Sequence, residues 1–468
     1  MDRETLHWQP LRRWERGAVA LLFTALVLFG VLVEKRSAFM TNREGRASSR
    51  MGDLGCYLRA AWAVRAGIDM YAIVDDNIWH YNYPPLYAIL MTPLADPPAD
   101  VDHAGFVPYE VSVGVVYVFN VLCLAIGVHV LASALEKASA DPAVRELPRW
   151  RRRWWLLRTL PVLACLPPVG HTLMRGQANL LLLALLCGLT AGLMRGRSLL
   201  AGLCLAGAIC LKIFPAFLLL VPLWRRDRRC LGGCALGLFV GLVLIPLAAL
   251  GPRMFVTEYR ELAKVLVGPA LGLGEDQTRA EELINVTATD NQSFVAVLHN
   301  TLHLDRDTRP NEAPPWEKRT AWLLGGAFTL LTLAASYRRR TDSGMSVAFF
   351  VGSMTVVMML TSPVCHSHYF VLSAPLVMAL VARSWERHPR RLGRFGGLGP
   401  GLFALVTVQV VGYTLPLILP QLEVTRDVGV SLYAALLLWL LACAAMLRGD
   451  KVAAGDDQAR EGPPSLAA

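Results

Sequence analysis

The sequence is poor in charge. Only 18% of its 468 residues are Asp, Glu, Lys or Arg, against about 25% in a soluble globular domain. It also lacks a Walker loop, a glycine fingerprint following a strand, and an HExxH pair. Without them, a nucleotide-driven pump or a cytoplasmic nucleotide-sugar enzyme has little support. No CxxC spacing joins its ten cysteines. Seven of them (Cys123, Cys165, Cys187, Cys204, Cys210, Cys234 and Cys443) sit inside apolar blocks as small packing residues, so no disulfide framework is expected. Zinc-finger spacing, an RNA-binding sheet motif and basic stretches interleaved with aromatics are missing too. The net charge of +10 therefore does not mark a nucleic-acid partner.

What the chain does have is apolar length. Hydrophobic residues make up 54% of it, and mean hydropathy is +0.42. They come in long blocks, and about 20 apolar residues cross a hydrocarbon core as a helix. Spans are expected near 17–33, 110–135, 156–170, 178–194, 198–211, 213–224, 230–250, 320–336, 345–361, 369–383, 396–418 and 428–447. The short blocks 156–170, 198–211 and 213–224 read as half-helices or as one broken helix. The expected fold is an all-α polytopic membrane protein with about 10–13 transmembrane helices. The first block follows Arg12, Arg13 and Arg16, as a signal peptide would, but no small-x-small cleavage site closes it. It reads as an uncleaved span.

Basic residues in the connections set the orientation. With the N-terminus inside, the cytoplasmic loops hold Arg149, Arg151–Arg153 and Arg158, then Arg225, Arg226, Arg228 and Arg229. Arg338–Arg340 follow, and then Arg383, Arg387, Arg390, Arg391 and Arg394. The other face has short, weakly basic turns and two long loops, 34–109 and 251–319. Residues 1–447 read as a single transmembrane domain and 448–468 as a disordered cytoplasmic tail. In the first loop, Leu54, Tyr57, Leu58, Ala61 and Trp62 recur at helical spacing, with Arg59 and Arg65 elsewhere on the turn. Closed by Gly67, this predicts an amphipathic helix on the membrane surface.

Several polar residues sit at the external ends of spans. Asp53 is either the N-cap of the predicted helix or a carboxylate held there as a general base. Lys212 lies between two apolar blocks. It either snorkels to the interface or, with Arg175 on a neighbouring turn, suits a phosphate. Gln177 and Asn179 open a span, where amides join helices or bind a sugar. Tyr83 belongs to an aromatic group with Tyr71, Trp79, Tyr81 and Tyr87 that reads as an interfacial belt or a sugar platform. His366 and His368, at i and i+2, do not share a helix face, so hydrogen bonding to a phosphate or sugar suits them better than zinc. The adjacent acids Asp75 and Asp76 read as solvated more readily than as a metal pair. Asn291-Gln292-Ser293 and Asn285-Val286-Thr287 match glycosylation sequons.

Taken together, Asp53-Leu-Gly-Cys-Tyr57, Gly67, Tyr71 and Tyr83-Pro-Pro-Leu86 resemble the first external loop of glycosyltransferase family 87, multi-spanning enzymes of the GT-C fold. Arg175-Gly-Gln-Ala-Asn179, Leu211-Lys-Ile-Phe-Pro215, Asn291-Gln-Ser293 and Ser362-Pro-Val-Cys-His-Ser-His368 are similar to its later motifs, in the same order. The likeness runs from about residue 50 to 380. It departs from the family in the spacing of Lys212 from Pro215 and in His-Ser-His where some members have His-His.

The resemblance implies a GT-C-like bundle in a bacterial cytoplasmic membrane, with its active site on the external face. It implies inverting transfer of a sugar, mannose foremost, from a polyprenyl-phosphate donor to a lipid or glycan acceptor, with no metal or cofactor. Asp53 would be the general base; Lys212, Arg175, His366 and His368 would meet the donor phosphate. Gln177, Asn179, Tyr83, Asn291 and Gln292 would hold sugar or acceptor. A transporter or lipid flippase is the rival class and a non-catalytic scaffold the third. A transporter would be expected to carry an internal repeat, and no convincing one is found.

Overall fold

A computed structural model describes residues 12–37, 40–41, 47–48, 51–138, 150–267, 282, 284–339, 341–342, 344–387, 411–412, 414–415, 419 and 423–448. Most of the expected span 396–418 and the tail beyond Arg448 lie outside these residues. So do Arg149, Arg340, Arg390, Arg391 and Arg394.

The apolar blocks fold into helices close to their predicted positions: Arg13–Ser37, Tyr109–Ala138, Asn179–Met194, Ser198–Leu211, Pro315–Ser336, Met345–Thr361 and Val430–Arg448. Four blocks are subdivided. Block 156–170 divides between Trp150–Ala164 and Leu166–Arg175, breaking at Cys165 just before two prolines, which cannot donate to the ladder. Blocks 213–224 and 369–383 each open with a 3₁₀ stretch, Phe214–Leu219 and Ser367–Ser373. The block 230–250 runs as Arg228–Leu238, a π stretch Phe239–Leu244 and Ile245–Leu262, kinked at Gly251 (φ 72°) before Pro252. The described β structure is a two-residue ladder of Met40–Thr41 with Ala47–Ser48 and two isolated bridges.

Among the described residues, five helical segments are long and apolar enough to cross a membrane: Arg13–Lys35, Tyr109–Ala138, Arg228–Leu266, Pro315–Arg339 and Val430–Arg448. Their outward faces carry Phe23, Ile126, Trp322, Leu323 and Leu330, each more than half exposed. Lipid accepts such a surface, and water penalises it. The molecule is a nearly all-helical polytopic membrane protein. Helices meet over small residues: a Cβ on Gly202 would lie 2.0 Å from the Cys230 carbonyl, and one on Gly233 2.3 Å from that of Leu199. Small residues let helix backbones approach this closely.

Helix direction separates two ends of the bundle. Trp224 Nε1 donates to Ser336 Oγ at 3.0 Å, Arg225 Nη1 to the Asp342 carbonyl at 2.8 Å, and Ser198 Oγ bonds Asp227 at 2.6 Å. These contacts gather the arginine-bearing turns 195–197, 225–229 and 337–342 at one end. The turns 175–179, 212–213 and 362–367 fall at the other.

The predicted loop helix is present as Gly52–Ala66, ended by Gly67 at φ 68°. It does not lie with one face free. Leu54 to Ala61 are all buried, because the chain from Ile68 to Asp96 folds back over them. Arg59 points inward, donating to the carbonyls of Asp96 (3.2 Å) and Val74 (3.3 Å) and pairing with Asp76 at 2.6 Å. Arg65 stacks on Phe106, 4.2 Å from the ring centroid.

Candidate active site

Asp53 is the second residue of the helix Gly52–Ala66, whose N-cap is Met51. Its carboxylate leaves the helix end to form an ion pair with Arg175 Nε and accepts from Gln177 Nε2 at 2.6 Å. The approach depends on how the helix Leu166–Arg175 ends. Gly176 adopts the left-handed conformation (φ 67°), and Gln177 N returns to the Thr172 carbonyl at 3.1 Å. This is the hydrogen-bond pattern of a helix closed by glycine. A Cβ at Gly176 would lie 2.6 Å from Leu54 Cβ. Glycine thus answers two demands at once, a positive φ and contact with the helix that carries Asp53.

Gln177 is the hub. Its Oε1 accepts from Tyr57 Oη (2.8 Å) and Lys212 Nζ (3.0 Å), while its Nε2 also reaches Tyr83 Oη at 3.4 Å. Lys212 is 2% exposed and does not snorkel. Its three protons go to Gln177, to Asn179 Oδ1 at 2.8 Å and to Tyr369 Oη at 3.5 Å. The rings of Tyr369 and Tyr83 lie 4.6 and 5.2 Å away. Three possible acceptors and two π faces around one nitrogen suit an ammonium. Among the described residues the hydrogen-bond partners of Lys212 are all neutral, while Asp53 pairs with Arg175.

Asn179 Nδ2 donates to the His368 carbonyl at 3.4 Å, which joins the cluster to the turn after Met345–Thr361. His368 is 1% exposed, and neither ring nitrogen has a hydrogen-bond partner among the described residues. Its ring packs against those of His171 (5.4 Å), His366 (5.6 Å) and Tyr369 (4.9 Å). His366 Nδ1 lies 3.2 Å from Asp290. Burial alone would raise the Asp290 carboxyl, but His366 beside it, with Arg175 and His171 behind, holds it well below the usual carboxylate range.

Asn291 and Gln292 reach the same region as ties between loops. Asn291 Nδ2 donates to the Pro363 and Asn285 carbonyls, and its Oδ1 accepts from Cys365 N at 3.0 Å. Gln292 Nε2 donates to the Arg426 and Thr289 carbonyls. The Asn291 amide positions the 362–366 turn, and Asn291, at 1% exposure, is inaccessible as a sequon. Among the aromatics, Tyr57, Tyr71 and Tyr81 are fully buried; Tyr57 packs edge-on against Tyr81, Tyr83 and Tyr87, and Tyr81 lies tilted against Tyr71 and Tyr83, at centroid separations of 4.8–6.4 Å. They form a scaffold under the site, not a surface belt. Tyr83 alone of this expected group bonds Gln177, accepting from it, and faces Lys212; burial pushes its hydroxyl up to about 12, with Asp53 adding to the shift, so it remains neutral. The acids Asp75 and Asp76 serve different partners: Asp75 accepts from Asn77 and Trp79, and Asp76 pairs with Arg59.

Asp290, His171, Tyr57 and Tyr369 were not read as site residues from the sequence. Asp290 and Tyr369 adjoin predicted motifs, so each motif's flanks were the available signal. The arrangement offers a reachable carboxylate (Asp53, 16% side-chain exposure), an arginine open at its outer edge (Arg175, 39%) and an enclosed ammonium. Such a set can take a proton from a hydroxyl and stabilise a developing phosphate charge.

A polyprenol-phosphate-mannose-dependent α-(1-2)-phosphatidylinositol mannoside mannosyltransferase of Mycobacterium tuberculosis is 25% identical over 318 residues. The match covers 66% of this chain and spans 63% of that relative's length. Among solved structures, ArnT from Cupriavidus metallidurans bound to undecaprenyl phosphate aligns with a TM-score of 0.37 and 14% identity, over 91% of this chain and 76% of the other. The family model of glycosyltransferase family 87 matches residues 81–363, more than half of the 468 residues, and the chain belongs to that family.

Proposed function

We propose that the chain is a membrane glycosyltransferase that moves a hexose, mannose foremost, from a polyprenyl-phosphate donor to a lipid or glycan acceptor with inversion. The observation that carries this reading is the meeting of Asp53, Arg175 and Lys212 in one cluster, from three separate helix ends. Arg175 and Lys212 bring two cationic groups to the cluster, which a phosphodiester complements. Membership of family 87 and the mannosyltransferase relative support the donor class.

In this mechanism the acceptor oxygen attacks the anomeric carbon while the bond from that carbon to the phosphate oxygen breaks. The hydroxyl proton passes to Asp53, and polyprenyl phosphate leaves as a monoester. A carboxylate is a weak base, yet it serves when the hydroxyl becomes acidic late in the transition state. Only Nε of Arg175 is committed to Asp53 among the described bonds, so its terminal nitrogens can face the leaving phosphate. Lys212 adds charge from below, and the His368 ring, without a hydrogen-bond partner among the described residues, offers one N–H to a sugar or phosphate oxygen. The site lies at the end of the bundle opposite the arginine-bearing turns. With those turns cytoplasmic, it faces outward, in a bacterial inner membrane, where a lipid-linked donor arrives through the bilayer.

The test incubates membranes containing the chain with radiolabelled polyprenyl-phosphate mannose, glucose or arabinose. Labelled product is expected from mannose, and Lys212→Ala should reduce donor use mainly through KM. If no donor yields product above empty membranes, the reading fails.

A further inference from the structure

A second cluster of ligating side chains lies outside the site described above. His299, near the end of the helix Phe294–Leu302, and His303, its C-cap, stand four residues apart, with ring centroids 4.8 Å apart. Glu317, in the first turn of Pro315–Ser336, reaches between them. Its Oε2 is 2.7 Å from His299 Nδ1 and its Oε1 is 3.3 Å from His303 Nε2. The ligand atoms of all three lie within 4.8 Å of one another. His299 and Glu317 are fully buried, and His303 is half-buried.

The tautomer of His299 is decisive. Its Nε2 lies 2.8 Å from the Pro310 carbonyl, which can only accept, so Nε2 carries a proton. In the neutral ring, the Nδ1 lone pair then points at the Glu317 carboxylate 2.7 Å away. Two acceptors this close in a buried setting need a cation between them. A proton would satisfy that pair, with a neutral His303 donating its Nε2–H to the other carboxylate oxygen; a metal ion is the cation that would use all three converging groups as ligands. A divalent cation takes all three groups in the states ligation requires, neutral imidazole and ionised carboxylate. The bond to Pro310 is the outer contact that ligating histidines usually make.

We infer that His299, His303 and Glu317 form a binding site for a divalent transition metal, zinc foremost. The two imidazoles and a carboxylate match zinc's ligand preferences, and a fourth position on the open side of His303 would take water. The metal would clasp the helix Phe294–Leu302 to the start of Pro315–Ser336. The other end of the first helix is tied to the His366 turn through Asn291 and Ser293. The clasp would therefore brace the frame of the candidate active site without taking part in transfer.

The experiment uses tag-free, full-length protein in detergent, stripped by chelator and then titrated with zinc sulfate. Bound metal is counted by mass spectrometry after gel filtration. About one zinc per chain is expected for the unaltered protein, with loss to background in His303→Ala and in Glu317→Gln. Cobalt in place of zinc should give a visible d–d band that His303→Ala removes. Because His303 is half-buried, its variant keeps the test open if Glu317→Gln fails to fold. No zinc above the His303→Ala level and no cobalt band in the unaltered protein would overturn the site and leave a proton between His299 and Glu317.

Discussion

At the scale of single residues, the site depends on positions whose roles differ in kind. Asp53 and Lys212 carry charge, whereas Gly176 carries none and decides whether they meet. Any side chain at Gly176 must adopt a left-handed backbone and push Leu54 away from the helix that holds Asp53. Gly176→Ala should therefore cost about 1–3 kcal/mol of stability, the usual range for an overpacked contact. It should also lower any transfer activity by more than that loss of folded protein explains, because Gln177 and Arg175 would shift from Asp53. Thermal unfolding and activity per folded molecule, measured side by side, check this; an unchanged protein would show that the close approach is unimportant. The charged residues were legible in the sequence because an ionised group beside an apolar block is costly and stands out. His171 and Asp290 were not, since a histidine in a turn and an acid in a polar loop look like ordinary surface.

Among elements, the helices were legible and their packing was less so. Ser198–Leu211 and Met345–Thr361 begin and end where their apolar runs do, because run length alone marks such a helix. The 3₁₀ openings at Phe214 and Ser367 were not foreseen; they arise where the chain turns tightly at the site end. Arg59 was expected on the free side of a surface helix, yet its guanidinium meets carbonyls from a loop about 15 to 37 residues further on, a contact beyond any helical period. That loop also holds Asp75, whose carboxyl burial pushes up to about 6 despite hydrogen bonds from Trp79 and Asn77. Its folded value exceeds the unfolded value of about 3.9, so the folded chain holds the proton more tightly. This contribution to stability is full below about pH 4 and is lost as pH rises through about 6. The melting temperature should accordingly fall between pH 4 and 6, and Asp75→Asn should flatten that fall. Identical profiles for the two proteins would remove Asp75 from the account.

Over the whole molecule, the distribution of charge and motif agrees with one arrangement. Arginine-bearing turns collect at one end, and Asp53, Gln177, Lys212 and the His366–His368 turn collect at the other. The ordered motifs made the family legible, but the tyrosine scaffold beneath them was not, because buried and interfacial tyrosines share the same sequence pattern. The central claim is that Asp53 takes the acceptor's proton at this end. The most direct test compares the unaltered protein with Asp53→Asn, each purified and reconstituted with radiolabelled polyprenyl-phosphate mannose and a lipid extract as acceptor. Asn keeps the shape of the contacts with Arg175 and Gln177, so equal melting temperatures will establish that the fold is intact. The account predicts transfer by the unaltered protein and a loss of about 10²–10⁴-fold in the variant; equal rates from the two would contradict it.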